Sequence, residues 1–403
     1  MPTPHLCQIS DSWIRVQAKT VVIAWTVLFL VGLAFPSQAQ TFSVLYTFIG
    51  KRDGGEPGGP SPLLMDKGGN LFGTASIGGD MNCGRILGCG TVFELDPTGK
   101  ESVLYILNEQ YSFPIGLVMD GKGNLYGVTN GGGEFGNGAV YTLKVSPNST
   151  RKVLYSFSGG VDGSLPFGLV QDTSGNLYGG TVAGGAYGCG TVFKVDLHGT
   201  ETVLYSFSGG ADGDDPQSTL LLDGAGNLYG TTEYGGLFRN GTVFKIDSAG
   251  KESVLYSFSG GADGGAPSHG GVVADAEGNL YGTTDFGGDV GCSCGVVYKL
   301  DTDGNQHVLH TFTGGADGKY PNAVTLDSAG NLFGTTFAGG TTQDGTVFEV
   351  DASGKETVLY SFTGGADGAF PDVGLLRDTK GNLYGTTNSG GTYYVGTVFK
   401  IAP

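Results

Sequence analysis

The chain has 403 residues, of which 39% are hydrophobic and 77 are glycine, a glycine share well above the roughly 7% of average proteins. Collagen is excluded, because the glycines follow no Gly-X-Y period and proline, at 15 residues, is ordinary. The formal net charge of −17 at pH 7 argues against nucleic acid and anionic lipid as partners, since both attract basic surfaces.

The first 39 residues have the composition of a secretory signal. Arg15 and Lys19 precede an apolar run over residues 20–35, and small residues lead to Ala39, the order that is typical of a cleaved leader. The 16-residue run is short for a membrane span, which needs about 20 residues. We therefore predict a signal peptide over residues 1–39, export with cleavage near Ala39, and a mature chain without a membrane span; a leader kept as an anchor is the alternative.

One motif, Asn-Leu-(Tyr/Phe)-Gly, recurs through residues 40–403. Its copies begin at Asn70, Asn124, Asn176, Asn227, Asn279, Asn331 and Asn382. Successive copies are 54, 52, 51, 52, 52 and 51 residues apart, and a fixed period of this length is the signature of a repeat architecture. Residues 40–403 are therefore predicted to form a single domain of seven units.

Each unit contains four short segments rich in β-branched and aromatic residues, bounded by glycine, aspartate or proline. Around Asn227 these segments are residues 203–207, 220–222, 227–232 and 241–245. Four strands per unit and no helix predict an all-β fold, a seven-bladed β-propeller of four-stranded antiparallel blades. A β-solenoid is disfavoured, because its coils usually need only about 20–30 residues.

The two ends of the chain complement each other. Residues 44–48 have the sequence of a unit's last strand without the strands before it, and the seventh unit ends at residues 396–400 without that last strand. The N-terminal strand is therefore predicted to pair with the C-terminal blade. This pairing would close the ring and cover an edge that otherwise invites aggregation.

The connection between units carries an Asp-Gly pair in six places. Its aspartates are Asp53, Asp162, Asp212, Asp263, Asp317 and Asp367. Because the long connections of a propeller share one face, these carboxylates form a candidate binding rim for Ca²⁺ or a cationic partner. Asp-Gly is also ordinary turn chemistry, and these pairs have no metal-ligand spacing by themselves.

A second set of aspartates lies four residues before each repeat asparagine, with glycine between them. Its members are Asp66, Asp120, Asp172, Asp223, Asp275, Asp327 and Asp378. An aspartate can accept backbone N–H groups a few residues on, and a glycine can close the tight hairpin that follows. These seven carboxylates are predicted to be structural.

The glycine-rich connection after the Thr-Thr of each unit differs from one unit to the next. Its candidate binding residues are Tyr234, Leu237, Phe238, Arg239, Phe286, Phe337, Tyr393 and Tyr394. Aromatic side chains on a rigid scaffold can stack on a sugar ring or anchor a protein partner. They can equally cap the edges of blades.

Five cysteines follow the leader. Cys83 and Cys89 flank an insertion in the first unit, and an exported compartment favours a disulfide between them. The pairing of Cys189, Cys292 and Cys294 stays open, because Cys292-Ser-Cys294 is too tight to pair without strain and the other cysteines belong to different units.

Catalytic motifs are mostly absent from the sequence: it has no His-Glu-x-x-His and no phosphate loop. Two functions remain. One is a monomeric, exported, non-enzymatic protein that binds a surface glycan or protein, without a cofactor. The other is an exported hydrolase, lyase or lactonase with a divalent cation at the axial site. Near-identical units favour the first, because an enzyme needs a few unique polar residues at one pocket.

The repeat unit resembles a known family. Val-Leu-Tyr-Ser-Phe, Gly-Gly-Ala-Asp-Gly, Gly-Asn-Leu-Tyr-Gly-Thr-Thr and Gly-Thr-Val-Phe-Lys over residues 42–401 are similar to the bacterial Gloeo/Verruco (GloVer) tandem repeat. The resemblance implies export, frequent C-terminal surface anchors and no established activity. Because this chain stops at Ala402-Pro403 without a hydrophobic tail, we expect secretion or a periplasmic location rather than anchoring.

Overall fold

A computed structural model describes residues 40–59, 61–83, 87–108, 113–146, 149–267, 271–288 and 291–403. The predicted leader and its cleavage site lie outside the described residues. Gln40–Pro403 form one compact unit. Over the described ranges we find no helix with the length and hydropathy of a membrane span.

Strands account for the regular structure of every repeat unit. β1 (Thr41–Thr47) precedes the first blade, which contains β2 (Gly55–Pro57), β3 (Leu64–Met65), β4 (Leu71–Ile77), β5 (Thr91–Leu95) and β6 (Glu101–Ile106). Blade 2 contains β7 (Pro114–Met119), β8 (Asn124–Thr129), β9 (Ala139–Lys144) and β10 (Arg151–Ser156). Blade 3 contains β11 (Ser164–Gln171), β12 (Leu177–Ala183), β13 (Thr191–Val195) and β14 (Glu201–Ser206).

The remaining four blades repeat this order. Blade 4 contains β15 (Leu221–Leu222), β16 (Leu228–Thr232), β17 (Thr242–Ile246) and β18 (Glu252–Ser257). Blade 5 contains β19 (Val272–Ala274), β20 (Leu280–Thr284), β21 (Val296–Leu300) and β22 (Gln306–Thr311). Blade 6 contains β23 (Lys319–Pro321), β24 (Thr325–Leu326), β25 (Leu332–Ala338), β26 (Thr346–Val350) and β27 (Glu356–Ser361), and blade 7 contains β28 (Leu376–Arg377), β29 (Leu383–Thr387) and β30 (Thr397–Ala402).

The strands of each blade pair in chain order as an antiparallel meander, as in β15-β16-β17-β18. Neighbouring blades contact each other through their first strands, since β7 touches β11 and β11 touches β15. The first strand of each blade therefore lies nearest the axis and the fourth lies at the outer edge. Seven such sheets in a ring confirm the seven-bladed β-propeller predicted from the sequence.

The N-terminal strand closes the ring. β1 pairs with β30 from Thr41 opposite Ala402 to Thr47 opposite Thr397, so blade 7 has the order β1-β30-β29-β28. The backbone N–H of Phe48 donates to Gly396 O at 3.1 Å. This confirms the predicted closure, in which the first strand of the chain completes the last blade.

The core lies between blades rather than at one centre. Phe207 at the end of blade 3 packs on Phe244 of blade 4, with ring centroids 5.0 Å apart and an edge-to-face arrangement. The repeat glycine Gly230 lies opposite Phe244 across the sheet, and a Cβ at Gly230 would come within 2.6 Å of the Phe244 ring. Glycine is therefore required in Asn-Leu-Tyr-Gly because the neighbouring strand places an aromatic ring against its backbone.

The antiparallel order gives the ring two different faces. Hairpins between the first and second strands, and between the third and fourth strands, lie at one end of every blade, which we call the turn face. The connections between the second and third strands, and between successive blades, lie at the opposite end, which we call the loop face. Long connections that differ between units are therefore gathered on the loop face.

Candidate functional site

The two connections of the loop face are joined by hydrogen bonds. In blade 4, Gly236 N donates to Gly210 O at 2.9 Å, which ties the connection after β16 to the connection that enters the blade. Equivalent bonds join Gly79 to Lys51, Gly185 to Gly160, Gly288 to Gly261, Gly340 to Gly315 and Gly391 to Gly365. These bonds hold the backbone of the loop face in place before binding. Ordering its side chains on a ligand therefore costs less entropy.

The six aspartates of the candidate rim lie inside their own connections. Asp212 accepts hydrogen bonds from Ser208 N at 2.8 Å, from Ser208 Oγ at 2.5 Å and from the Tyr205 hydroxyl at 3.0 Å. Burial alone would raise the pKa of Asp212, but these hydrogen bonds outweigh it and lower the pKa overall.

The same arrangement recurs in the sister connections, with the residue four positions earlier as backbone donor. The aspartates concerned are Asp53, Asp162, Asp263, Asp317 and Asp367. In one of them a histidine, His310, replaces the tyrosine and lies 3.6 Å from the carboxylate. These carboxylates hold the connections in shape, and over the described residues no group of three or more His, Cys, Asp and Glu side chains is arranged to hold a metal ion.

The seven repeat-turn aspartates lie on the turn face. Asp223 accepts from Ala225 N at 2.9 Å and Asn227 N at 2.8 Å with one oxygen, and from Asn227 Nδ2 at 2.7 Å and the Tyr229 hydroxyl at 3.2 Å with the other. The backbone bonds recur at Asp66, Asp120, Asp172, Asp275, Asp327 and Asp378. The structure thus gives these carboxylates the task of closing a hairpin.

The aromatic candidates are exposed on the loop face. They are Tyr234, Phe238, Phe286, Tyr393 and Tyr394, the last with 76% of its surface exposed. Arg239 is exposed beside Phe238, with a positive φ of 64°. These residues all follow the second strand of their blade, so the ring places them at the same height around its circumference.

Sequence reasoning missed four other members of this set. Exposed large apolar side chains also follow the second strand in blades 1, 2 and 3: Met81, Leu87, Phe135 and Tyr187. The candidates Leu237 and Phe337 are exposed as well, Phe337 near the end of β25. Every blade therefore carries at least one such side chain on the loop face. The signal was available for Met81, Phe135 and Tyr187, because each lies two residues after the Gly-Gly pair of its unit.

Three further positions per unit differ between blades and surround the entrance to the axis. They are the residue after Thr-Thr and the two residues that flank the proline after Asp-Gly, for example Phe337, Tyr320 and Asn322 in blade 6. We call these the inner positions. They lie at the loop-face ends of the two innermost strands of each blade. The repeat motif Asn-Leu-(Tyr/Phe)-Gly, which the chain passes through between these ends, is nearly constant from unit to unit.

The inner position before the proline has an unusual backbone. Tyr320 has a φ of 58°, which costs a non-glycine residue free energy. Glu56, Leu165, Asp215, Ala266 and Phe370 also have positive φ. The conformation is held from the neighbouring blade, because Tyr320 N donates to Cys294 O at 2.9 Å. The direction of the side chain at this position is thus set by a hydrogen bond between two blades.

A cavity of about 290 Å³ lies on the loop face between blades 5, 6 and 7, and six residues line it. We call this cavity the aromatic pocket. The six residues are Asp285, Phe286, Tyr320, Asn322, Phe337 and Asp372. Phe286 and Tyr320 meet edge to face with centroids 6.0 Å apart, and Phe337 stacks on Phe370 at 5.2 Å. A cavity of this size is near the lower end of the about 300–1,000 Å³ that small-ligand sites occupy.

Asn322 fixes the floor of the aromatic pocket. Only 5% of its surface is exposed, and its Nδ2 donates to Thr335 Oγ1 at 2.9 Å and to Pro371 O at 2.7 Å. These bonds join blade 6 to blade 7. Of the six lining residues the sequence singled out Phe286 and Phe337 as candidates. The six come from three successive units, which the ring brings together.

The axis beneath the loop face is filled by small residues. A Cβ at Gly168 would come within 2.9 Å of Thr219 Oγ1, and one at Gly374 within 2.8 Å of Ala323 Cβ. Ser61 Oγ of blade 1 lies 3.4 Å from Thr219 Oγ1 of blade 4. The cavity here is about 10 Å³, room for about one water molecule.

Two disulfides are present among the described residues. Cys83 is joined to Cys89, and Cys292 is joined to Cys294, a pairing that the sequence left open. Cys189 remains as a half-buried thiol. Burial, with the nearby Asp214 carboxylate, raises the pKa of this thiol.

Comparisons with known proteins follow the repeat and the fold. The profile of the Gloeobacter/Verrucomicrobia repeat matches residues 84–292 and 261–403. A search of curated proteins returns no match.

Among solved structures, the chain is similar to the extracellular domain of a B. thetaiotaomicron protein assigned as a hybrid two-component system, with 14% identity and a TM-score of 0.56, over 90% of this chain and 41% of that one. A second B. thetaiotaomicron extracellular domain, from a protein assigned as a one-component system, has 11% identity and a TM-score of 0.53, over 89% and 40%. A Xanthomonas campestris gluconolactonase has 13% identity and a TM-score of 0.44, over 86% and 96%. This chain spans less than half of the first two chains, and identities this low show the fold alone.

Proposed function

We propose that this chain, which belongs to the Gloeobacter/Verrucomicrobia repeat family, is an exported, non-enzymatic binding protein whose loop face binds carbohydrate of a cell surface. The observation that carries this proposal is the ring of exposed large apolar side chains, at least one on each blade, on an otherwise repetitive scaffold. Variable aromatic side chains on the connections of a rigid scaffold are a usual place for binding specificity. The turn face, by contrast, carries the aspartate-closed hairpins.

Carbohydrate suits these side chains for a physical reason. The faces of a sugar ring present C–H groups while its edge presents hydroxyls, so a flat aromatic ring can cover the face and leave the edge in water. Tyr234, Phe238 and Tyr394 are exposed in this way. Stacking on exposed rings is weak at each contact, but several equivalent contacts on one polymer add through a high effective concentration.

Export is the second part of the proposal. It is supported by the order of charged, apolar and small residues before Ala39, and by the Cys83–Cys89 disulfide, a bond that persists in oxidising compartments. The two B. thetaiotaomicron domains that share the fold are themselves extracellular. A net charge of −17 would keep such a protein soluble outside the cell.

The enzymatic alternative, a hydrolase, lyase or lactonase with a divalent cation on the axis, has less support. The axis between Ser61 and Thr219 is filled, and hydroxyl and glycine residues there provide no carboxylate ligands. Over the described residues no group of three or more ligating side chains converges. A binding role needs only the exposed rings and the aromatic pocket, both of which the loop face presents.

A glycan array with the mature protein, residues 40–403, tests the proposal. The wild-type protein is expected to bind a subset of polysaccharides, and the double variant Phe238→Ala and Tyr394→Ala is expected to lose about tenfold or more of that affinity, since each stacking contact contributes of the order of 1 kcal/mol. Leu197→Ala is the matched control, because Leu197 is a similarly exposed apolar residue on the turn face. Absence of any glycan bound by the wild-type protein, or an equal loss in the control, would contradict the proposal.

A further inference from the structure

We propose that the aromatic pocket binds a small organic ammonium group, which its phenyl rings hold by cation–π contact and its two carboxylates hold by charge. The inference rests on the proposed function because it assigns this group to the loop face, and it adds the chemistry of one subsite. The ligand could be a separate small molecule or an amine carried at the end of a larger chain.

The first argument is the charge of the pocket. Asp285 and Asp372 line it, and the Lys319 ammonium, which lies 5.6 Å from the centroid of the lining Tyr320 ring, offsets one of these two charges. Two further carboxylates, Glu233 and Asp215 of blade 4, act together with Asp285 on the Tyr234 hydroxyl and raise its pKa. Negative charge that converges on a concave surface favours a cation and repels an anion.

The second argument is the set of rings. Phe286 and Phe337 are both partly exposed at the pocket, and neither can donate or accept a conventional hydrogen bond. The face of an aromatic ring is electron-rich and attracts a cation placed within about 6 Å of its centroid. Tyr320 shows this contact within the protein, because Lys319 Nζ lies 5.6 Å from the centroid of its ring.

The rings and charges are held before any ligand arrives. Phe337 is backed by Phe370 at 5.2 Å and Phe286 by Tyr320 at 6.0 Å, and Asn322 joins blades 6 and 7 beneath them. A site that is already ordered pays less entropy on binding. Weak cation–π and charge contacts can therefore produce measurable affinity for a group of a few heavy atoms.

Among the described residues, a phenylalanine directly after Thr-Thr and an aspartate directly after the proline of the following unit occur together only at the junction of blades 6 and 7. The residues equivalent to Phe337 in the other units are Ser76, Asn130, Val182, Glu233, Asp285 and Asn388. The residues equivalent to Asp372 that the structure describes are Gly58, Ile115, Phe167, Gln217 and Asn322. A stoichiometry of one ammonium group per chain is therefore expected, although the protein has seven units.

Calorimetric titration of residues 40–403 tests this inference with three probes: choline, n-butylammonium and 3,3-dimethylbutan-1-ol, the neutral isostere of choline. One ammonium probe is expected to bind with a stoichiometry of one, and the neutral isostere at least about tenfold more weakly, because it lacks the charge. Tighter binding of choline would identify a methylated ammonium ligand, and tighter binding of n-butylammonium a primary amine. Either result supports the inference.

The variants Asp372→Asn and Asp285→Asn remove one pocket charge each, and both are expected to weaken the ammonium probe about tenfold. Asp303→Asn removes an exposed charge of the turn face and is the matched control, with no expected change. If one pocket variant fails to fold by circular dichroism, the other variant and the isostere comparison decide. No ammonium binding up to about 10 mM, equal binding of the isostere, or an equal loss in Asp303→Asn would overturn the inference.

The glycan array separates this inference from the proposed function. Glycan binding that depends on Phe238 and Tyr394, without binding of either ammonium probe, would overturn the ammonium site alone. Ammonium binding that depends on Asp372, without any bound glycan, would contradict the carbohydrate proposal and leave the ammonium site in place.

Discussion

Ring closure predicts that the first strand of the chain contributes as much stability as an internal strand. Phe48 follows β1 and packs on Phe93 of blade 1, with centroids 5.2 Å apart; Phe207 follows β14 and packs on Phe244 of blade 4 at 5.0 Å. Both Phe48 and Phe207 have 0% of their surface exposed. The repeat thus provides an internal matched pair for one perturbation, Phe→Ala.

The expected cost follows from burial. Replacing a fully buried phenylalanine by alanine removes its transfer free energy and leaves a cavity, which together cost about 3–5 kcal/mol. Phe48→Ala is therefore expected to cost as much as Phe207→Ala, within about 1 kcal/mol, although Phe48 is the ninth residue of the described chain. Side chains on a frayed terminal strand would contribute almost nothing.

Urea unfolding of residues 40–403, followed by far-ultraviolet circular dichroism and tyrosine fluorescence, measures both free energies of unfolding. The two transitions must coincide for the comparison to hold. A loss of more than 3 kcal/mol in Phe207→Ala together with a loss below about 1 kcal/mol in Phe48→Ala would refute the closure of the ring by β1.

Three other outcomes follow from the same structure. A chain that begins at residue 50 lacks β1 and is expected to aggregate or to melt at a lower temperature; a truncated protein as soluble and heat-resistant as the parent would count against closure. Burial, with the neighbouring Asp212 carboxylate, raises the pKa of Glu252 from 4.5 to about 7. The protonated form of Glu252 therefore stabilises the fold fully below pH 4.5, and this stabilisation is lost as the pH rises through about 7. Glu252→Gln is therefore expected to raise Tm at pH 8 and leave it nearly unchanged at pH 4.5. A glutamine fits this position, because Gln306 has the equivalent place in blade 5 and donates to a backbone carbonyl at 3.1 Å. An unchanged dependence of Tm on pH would contradict this expectation. Asp223→Ala removes the acceptor of exposed and half-buried hairpin donors and is expected to cost about 0.5–1.5 kcal/mol in urea unfolding without changing glycan binding; a loss of binding in a folded variant would show that the turn face takes part.

The fold could be predicted because its determinants are local and repeated. The 51–54-residue period, the aspartate before each repeat asparagine and the unpaired strand at residues 44–48 are all visible in the sequence. The glycine of Asn-Leu-Tyr-Gly required the structure for its explanation, because the ring that excludes a Cβ belongs to the adjacent strand, as Phe244 does for Gly230.

The candidate site was harder to predict, because it depends on which units become neighbours. Asp285, Phe337 and Asp372 lie in three different units, and no spacing rule connects them before the ring is closed. The role of Asp212 and its equivalents was left open between binding and turn chemistry; three hydrogen bonds to Ser208 and Tyr205, which sequence spacing cannot measure, place it in the framework of its own connection.

Hydrogen–deuterium exchange, with and without a glycan that the array identifies, tests directly whether ligand binds the loop face. Amides of the connections after the second strands, such as 233–241 and 337–345, are expected to exchange more slowly when the glycan is bound, while the turn-face hairpins 223–227 and 327–331 stay unchanged. Protection confined to the turn-face hairpins, with the loop-face connections unaffected, would contradict the proposed binding surface.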